Sequence, residues 1–381
     1  MALGFKEGVA AALLLLPTAA MAEGASPAIS VTIDTAAAEA VFNAANADPA
    51  HAAALADAAL ALPAVQAMIA KDHKYFPAET ADSFRTSVVA LANGGSDSTF
   101  SLNDLRSRPT AARNLLDALE QRRGELTARL RDRLASFAPP GISLHTTLAV
   151  VVGSHQNGWV ADQKTPIFYI DAGFQKGDFD ALIATASHEL FHVVQGAVQP
   201  DWGPLFRESG SASAADREAH NLHAALVNLV IEGMADYVGD PAELPGTGAG
   251  IEQSRKEYAR NLARSSENFA LFDTIVFRLA HDGDAPLQTL LSIGFGGAWD
   301  QTGYYVGYRM AKAIDRYMGR RRLRALVALS AEEFVLDYIA VSKAHPGDPE
   351  ITPLAASTVA AVTDLKATLS KPNTEPQQTG R

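Results

Sequence analysis

Cysteine is absent from this chain, which excludes a small scaffold stapled by disulfides and leaves the redox compartment open. Long hydrophobic runs are missing too: after the N-terminus no stretch reaches the roughly 20 apolar residues of a transmembrane helix. Positive charge is in short supply. With 32 Lys and Arg against 43 Asp and Glu the net charge is −11, which disfavours nucleic acid as a partner, because phosphate backbones need clustered cations. The one basic cluster, Arg320-Arg321-Arg322 with Arg324, is short and reads as a helix terminus. What remains is ordinary: 381 residues, 48% hydrophobic and 20% charged, enough for one or two cores.

The first residues have the pattern of an export signal. Lys6 lies in a short n-region, offset by Glu7, and Val9 to Leu16 form an apolar segment ending at Pro17. Ala20-Met21-Ala22 offers a cleavage site before Glu23. The expectation is an exported chain, periplasmic or secreted.

The chemistry concentrates in His188-Glu189-Leu190-Phe191-His192, an H-E-x-x-H motif. On a helix, positions i and i+4 share a face, so the two imidazoles can bind one Zn²⁺. Glu189 cannot easily bind the same ion but can reach a water held on it, as a general base. The flanking run Ala181 to Ser187 and Val193-Val194 are apolar, so the pair is expected to be partly buried. A catalytic zinc needs a third protein ligand and an open position. Glu232 is the candidate, 232 − 192 = 40 positions on, and Asp236 follows it by four. Glu232 would bind the metal, and Asp236, one turn further, would accept the outer N–H of a ligand histidine. His220 and His223 are the competing ligands, without a flanking catalytic carboxylate. His281 reads as a charge partner at a helix C-terminus, and His51 and His73 as isolated structural or exposed residues.

With these motifs the chain resembles the gluzincin metallopeptidases, whose signature is H-E-x-x-H followed by E-x-x-x-D. Glu232-Gly233-x-Ala235-Asp236 is most similar to bacterial predicted zinc-dependent proteases within that class. The resemblance covers roughly residues 141–340. It implies a small sheet ahead of the zinc helix, with an edge strand that binds extended peptide backbone, for which residues 155–161 are the candidates. It also selects Tyr304, in Tyr304-Tyr305-Val306-Gly307, as the hydroxyl that stabilises the oxyanion of the scissile carbonyl. The chain departs from that pattern in carrying Val306 where a lysine is usual, and Tyr308, one turn on, is the reserve donor.

Elsewhere the sequence reads coarsely. An alanine-rich stretch, residues 35–72, gives short helices punctuated by Pro49 and Pro63, and a leucine-spaced helical run covers Thr110 to Phe137. Pro139-Pro140-Gly141 breaks it. Ile142 to Val152 and Pro166 to Ile170 read as strands, with a turn at Asn157-Gly158 and Trp159-Val160-Ala161 as an edge strand. Residues 179–196 form the motif helix, closed by Gly196, and residues 215–340 are mostly helical.

The expected architecture is α+β and mostly helical: a signal peptide (1–22), a helical N-terminal region without catalytic chemistry (23–140), a zinc metallopeptidase domain (141–345) and a partly disordered tail (346–381). The expected activity is peptide-bond hydrolysis by a zinc-activated water with Glu189 as base, one Zn²⁺ per chain, and a peptide or protein as substrate. A zinc hydrolase of a non-peptide amide, or a non-catalytic zinc-binding protein of the same fold, are the alternatives. The presence of Glu189 argues against the second.

Overall fold

The computed structural model describes residues 26–161, 166–199, 202–207, 213–297 and 300–370, so the signal-peptide expectation lies outside the described residues. Strand β1 (Ala28–Asp34) comes first. Proline then sets the helix starts: after α1 (Ala36–Ala45), Pro49 and Pro63 open α2 (Pro49–Leu60) and α3 (Pro63–His73), where a missing N–H leaves no bond unmade. A capping box between Thr80 and Ser83 starts α4 (Ala81–Ala92), and the short α5 (Asn103–Ser107) follows. The leucine-spaced run divides at Arg122 into α6 (Pro109–Gln121) and α7 (Arg123–Ala135).

Three more strands follow: β2 (Ser143–Val151), β3 (Gly158–Val160) and β4 (Ile167–Asp171). They form one mixed sheet in the order β1-β2-β4-β3. β1 and β4 run parallel to β2, and β3 is antiparallel to β4 at the edge. Leu148 to Val151 are all buried, as a strand covered on both faces requires. The N-terminal region is therefore not wholly helical, because it supplies β1. Its signal is present: Ile29, Val31 and Ile33 alternate with Ser30 and Thr32, the period of a half-buried strand. The chain passes the Pro139-Pro140-Gly141 break with Gly141 at φ +78°, where a side chain would be strained, and returns beside β1. One hydrophobic core consequently runs from Ile29 to Leu365 across that break.

The rest is helical: α8 (Phe179–Val198), α9 (Ala214–Val238), a 3-10 turn (Pro241–Glu243), α10 (Ala249–Ala263), α11 (Ser265–His281), α12 (Leu287–Phe295), α13 (Thr302–Met318), α14 (Arg320–Leu326) and α15 (Ala331–Ala344). Gly196 does not close α8, which continues to Val198 before the backbone of Gln199 leaves the helix. Residues 356–369 form α16 (Ala356–Leu369), which packs on α11 and α15 and buries Val362 and Leu365. Residues 371–381 lie outside the described ones. The basic cluster is tied up internally: Arg320 pairs with Asp315, Arg322 with Asp337, and Arg324 donates to the Ala138 carbonyl at 2.8 Å. Among the described residues no single helix is long and apolar enough to cross a membrane.

Candidate metal centre

Asp178 starts α8 by accepting the N–H groups of Asp180 and Ala181. The helix then buries most of its surface and carries His188 and His192 on one face. Helix α9 packs against it and presents Glu232 and Asp236 from its last two turns. The Nε2 atoms of the two histidines stand 3.0 Å apart, and Glu232 Oε2 is 3.6 Å from the first and 3.4 Å from the second. Ligand atoms about 2.05 Å from a tetrahedral zinc are separated by roughly 3.3 Å. The spacing fits.

The outer nitrogens explain why these three atoms cannot simply face one another. Asp236 Oδ1 lies 3.0 Å from His188 Nδ1. Gln195 Oε1 lies 2.9 Å from His192 Nδ1. The glutamine amide is oriented by its own donor, because Nε2 gives its hydrogen to the Ile231 carbonyl at 3.0 Å. Both acceptors require a proton on Nδ1, which leaves both Nε2 atoms of neutral rings as bare lone pairs. Two lone pairs and a carboxylate oxygen converge in a space closed to most solvent, where a metal ion, or a proton in its place, relieves the repulsion. The same demand shows in the titration of the trio. Burial opposes charge on His188, yet Asp236 and Glu232 outweigh it and hold its pKa well above the usual histidine range. Burial likewise opposes charge on Glu232, and His192 and His188 still keep its carboxyl below the usual carboxylate range.

Glu189 lies against the edge of the sheet, close enough to feel the charges of His188, His192 and Glu232. A Cβ on Gly158 would lie 2.7 Å from Glu189 Cγ, so the first residue of edge strand β3 must be glycine for the strand to cross this side chain. Burial pushes the Glu189 carboxyl up, against the pull of His188 and His192.

A second glycine contact brings in α13. A Cβ on Gly233 would meet Gly307 Cα at 2.2 Å, and one on Gly307 would meet the Leu229 carbonyl oxygen at 2.4 Å. Backbones of α9 and α13 therefore touch directly, one residue from Glu232. That approach carries Tyr304 to the site. Its ring lies near-parallel to His188, 6.3 Å between centroids at 14°, and its hydroxyl is close enough to Glu232 to feel that carboxylate. Burial and the neighbouring carboxylates push its pKa well up, so it is a neutral donor. Just ahead of this helix Asp300 and Gln301 both take positive φ, and Asp300 is gripped by Arg260 and Arg264 at 2.6 and 3.0 Å.

The structure thus brings His188, Glu189, His192, Glu232 and Asp236, singled out by their spacing, together with Tyr304, which the resemblance selected. Tyr308 is elsewhere: it is buried and gives its hydroxyl to Asp240 at 2.5 Å. The competing histidines are elsewhere too, His220 against the Arg207 carbonyl at 3.0 Å and His223 against Glu332 at 2.5 Å. His281 sits at the end of α11, bonded to the Phe277 carbonyl. Gln195 was missed. The available signal was its position, three residues after His192 on an apolar helix, where a polar side chain needs a partner.

Two histidines from one helix and a glutamate from the next, with an aspartate on the outer nitrogen of the first histidine, form a cluster that could hold a metal ion beside a small mixed sheet. The chain belongs to the family described as "Putative zinc dependent peptidase (DUF5700)", whose model matches residues 56–347. No curated protein and no solved structure matches the chain.

Proposed function

We propose that this protein hydrolyses peptide bonds with one zinc ion held by His188, His192 and Glu232. The observation that carries the reading is the convergence of their three ligand atoms, all within 4.8 Å of one another, with both outer imidazole nitrogens already engaged. Zinc at such a site supplies Lewis acidity, which makes water nucleophilic near neutral pH and polarises a carbonyl.

The protein's own groups do the rest. Glu189 takes the proton of the attacking water and passes it to the leaving amine. Tyr304 donates its hydroxyl to the oxyanion that develops on the scissile carbonyl. Asp236 and Gln195 hold the two rings in the tautomer that leaves Nε2 free. Among the described residues strand β3 pairs on one side only, and it offers backbone N–H and C=O groups to an extended peptide.

Metal analysis of the purified chain, with a peptide-library digest run with and without chelator, tests this. Expected are about one zinc per chain and cleavage that stops on chelation and returns with zinc. Glu189→Gln should keep the metal and lose roughly 10²–10⁴-fold in turnover. A loss below about tenfold would remove Glu189 from the role of base. Export is proposed as well. Cleavage after Ala22 leaves β1, which begins at Ala28, whole, and N-terminal sequencing of the exported chain should read Glu23 first. An intact Met1 on cytoplasmic protein would overturn it.

A further inference from the structure

The turn between β4 and α8 carries a side chain whose amide is spent between the edge strand and the motif helix. Gln175 is buried, 1% exposed. Its Nε2 gives one hydrogen to Asn157 Oδ1 at 2.5 Å and the other to the Asp171 carbonyl at 3.2 Å. Its Oε1 accepts the Thr185 hydroxyl at 3.4 Å, and Thr185 accepts in turn from Asn157 Nδ2 at 3.2 Å. The three side chains close a ring in which each amide fixes the orientation of the other. The turn beneath is tied down as well, since the Gln175 carbonyl accepts the Asp178 N–H at 2.8 Å at the start of α8.

The ring ends beside the chemistry. Thr185 lies on α8 one turn before Glu189, and Asn157 precedes Gly158, which rests on Glu189. Strand and helix therefore touch at two successive points, one polar and one a bare van der Waals contact. The sheet alone does not set that separation. Bonds between β3 and β4 run in the plane of the sheet, and β3 has only three residues, so its height over α8 falls to the ring. The phase of the ladder shows what is held there. The Asp171 N–H bonds the Asn157 carbonyl at 2.9 Å, and the two stand opposite each other when the register of β3 and β4 is continued. Bonded and non-bonded pairs alternate between antiparallel strands. Trp159 and Tyr169 are then the next bonded pair, and the N–H and C=O of Gly158 and Val160 turn away from β4.

We propose that Gln175 is a positioning residue: through Asn157 and Thr185 it holds β3 at the height over α8 at which a peptide paired with Gly158 and Val160 lies beside Glu189. The proposal rests on the peptidase reading above and deepens it, by naming what sets the register of an extended substrate. Its effect belongs to the binding of long peptides, because only these span the strand.

The test uses the full zinc-loaded chain, a peptide that spans β3 and the same peptide trimmed close to the cleaved bond. Cleavage is measured well below each protein's melting temperature, and binding is measured by calorimetry in the Glu189→Gln background. Thr185→Val keeps the shape of the side chain and removes the hydroxyl. It should keep its zinc and raise the KM of the long peptide about five- to tenfold, the size of one hydrogen bond, with the trimmed peptide little changed. Thr185→Ser should restore the wild-type KM. Gln175→Met should show the same preference for the long peptide with a larger effect. Should it not fold, Asn157→Ala opens the ring from the exposed side, and its effect should not add to that of Thr185→Val. An unchanged KM, an equal loss with both peptides, additive effects or lost zinc overturns the proposal, as does failure of Thr185→Ser to restore binding. Long-peptide binding that weakens in Thr185→Val, with no cleavage by any protein, would defeat the peptidase reading and leave Gln175 in its role. Neither binding nor cleavage would defeat both.

Discussion

Asp236 and Gln195 perform one service for two imidazoles by different chemistry. The aspartate brings a charge to His188, and the glutamine brings a neutral carbonyl, aimed by its bond to the Ile231 backbone. Glu232 differs from both because its oxygen faces the Nε2 atoms themselves. Glu232→Gln should therefore lose most of its zinc, because a charged ligand is removed. Asp236→Asn should retain zinc with affinity or activity down roughly 10–100-fold. Equal zinc loss in the two proteins, read by metal analysis after dialysis, would erase the distinction. At this scale the sequence was informative where geometry is local. His188 and His192, or Glu232 and Asp236, are four apart, and the helix itself puts them on one face. Gln195 was not legible, because its role depends on a bond to the Ile231 carbonyl, 36 positions away.

Helix α13 reaches the centre only because two glycines remove the side chains between it and α9. Gly307→Ala places a methyl 2.4 Å from the Leu229 carbonyl oxygen and 2.7 Å from Gly233 Cα, so the helices must part. Tyr304 then moves with α13, while His188, His192 and Glu232 stay on α8 and α9. The expected result is retained zinc with activity reduced on the order of 10²-fold, the usual effect of about 1 Å of misplacement. Loss of the metal instead would mean that the glycine contact supports α9 rather than α13. Elements with a strong period were readable from the sequence, α8 and the strands β2 and β4 among them. Strand β1 has the period but competed with an alanine-rich surround, and α16 shows only Val362 and Leu365 as its buried stripe, too little to stand out.

Across the molecule a single core joins the early helices, the sheet and the later helices. Its weak point toward acid is the pair of α9 with α15. Glu332 is fully buried and His223 lies 2.5 Å away. Burial alone would raise the Glu332 carboxyl, but His223 outweighs it and holds the pKa below the ordinary 4.5. A lowered carboxylate stabilises the fold fully above its ordinary value and ceases to do so as pH falls through the lower folded value. The melting temperature of the wild type should exceed that of Glu332→Gln at pH 7, with the gap closing below pH 4.5. A gap independent of pH would show that the charge contributes nothing. His223→Ala, which strands the buried carboxylate, should cost about 3 kcal/mol at neutral pH. Overall topology was the least legible level, since nothing local records that Ala28 pairs with Ser143.

That pairing has a consequence in time. A ribosome releases the first strand long before its neighbour, because every β1–β2 partner is 115 positions later in the chain. At about 5–20 residues per second the strand waits on the order of ten seconds with both hydrogen-bonding edges open. The intervening segment is made almost entirely of helices that close on local contacts, so it can condense while the strand is idle. A nascent chain arrested just before residue 143 should therefore hold helices but no sheet, and it is the form a holding chaperone would meet.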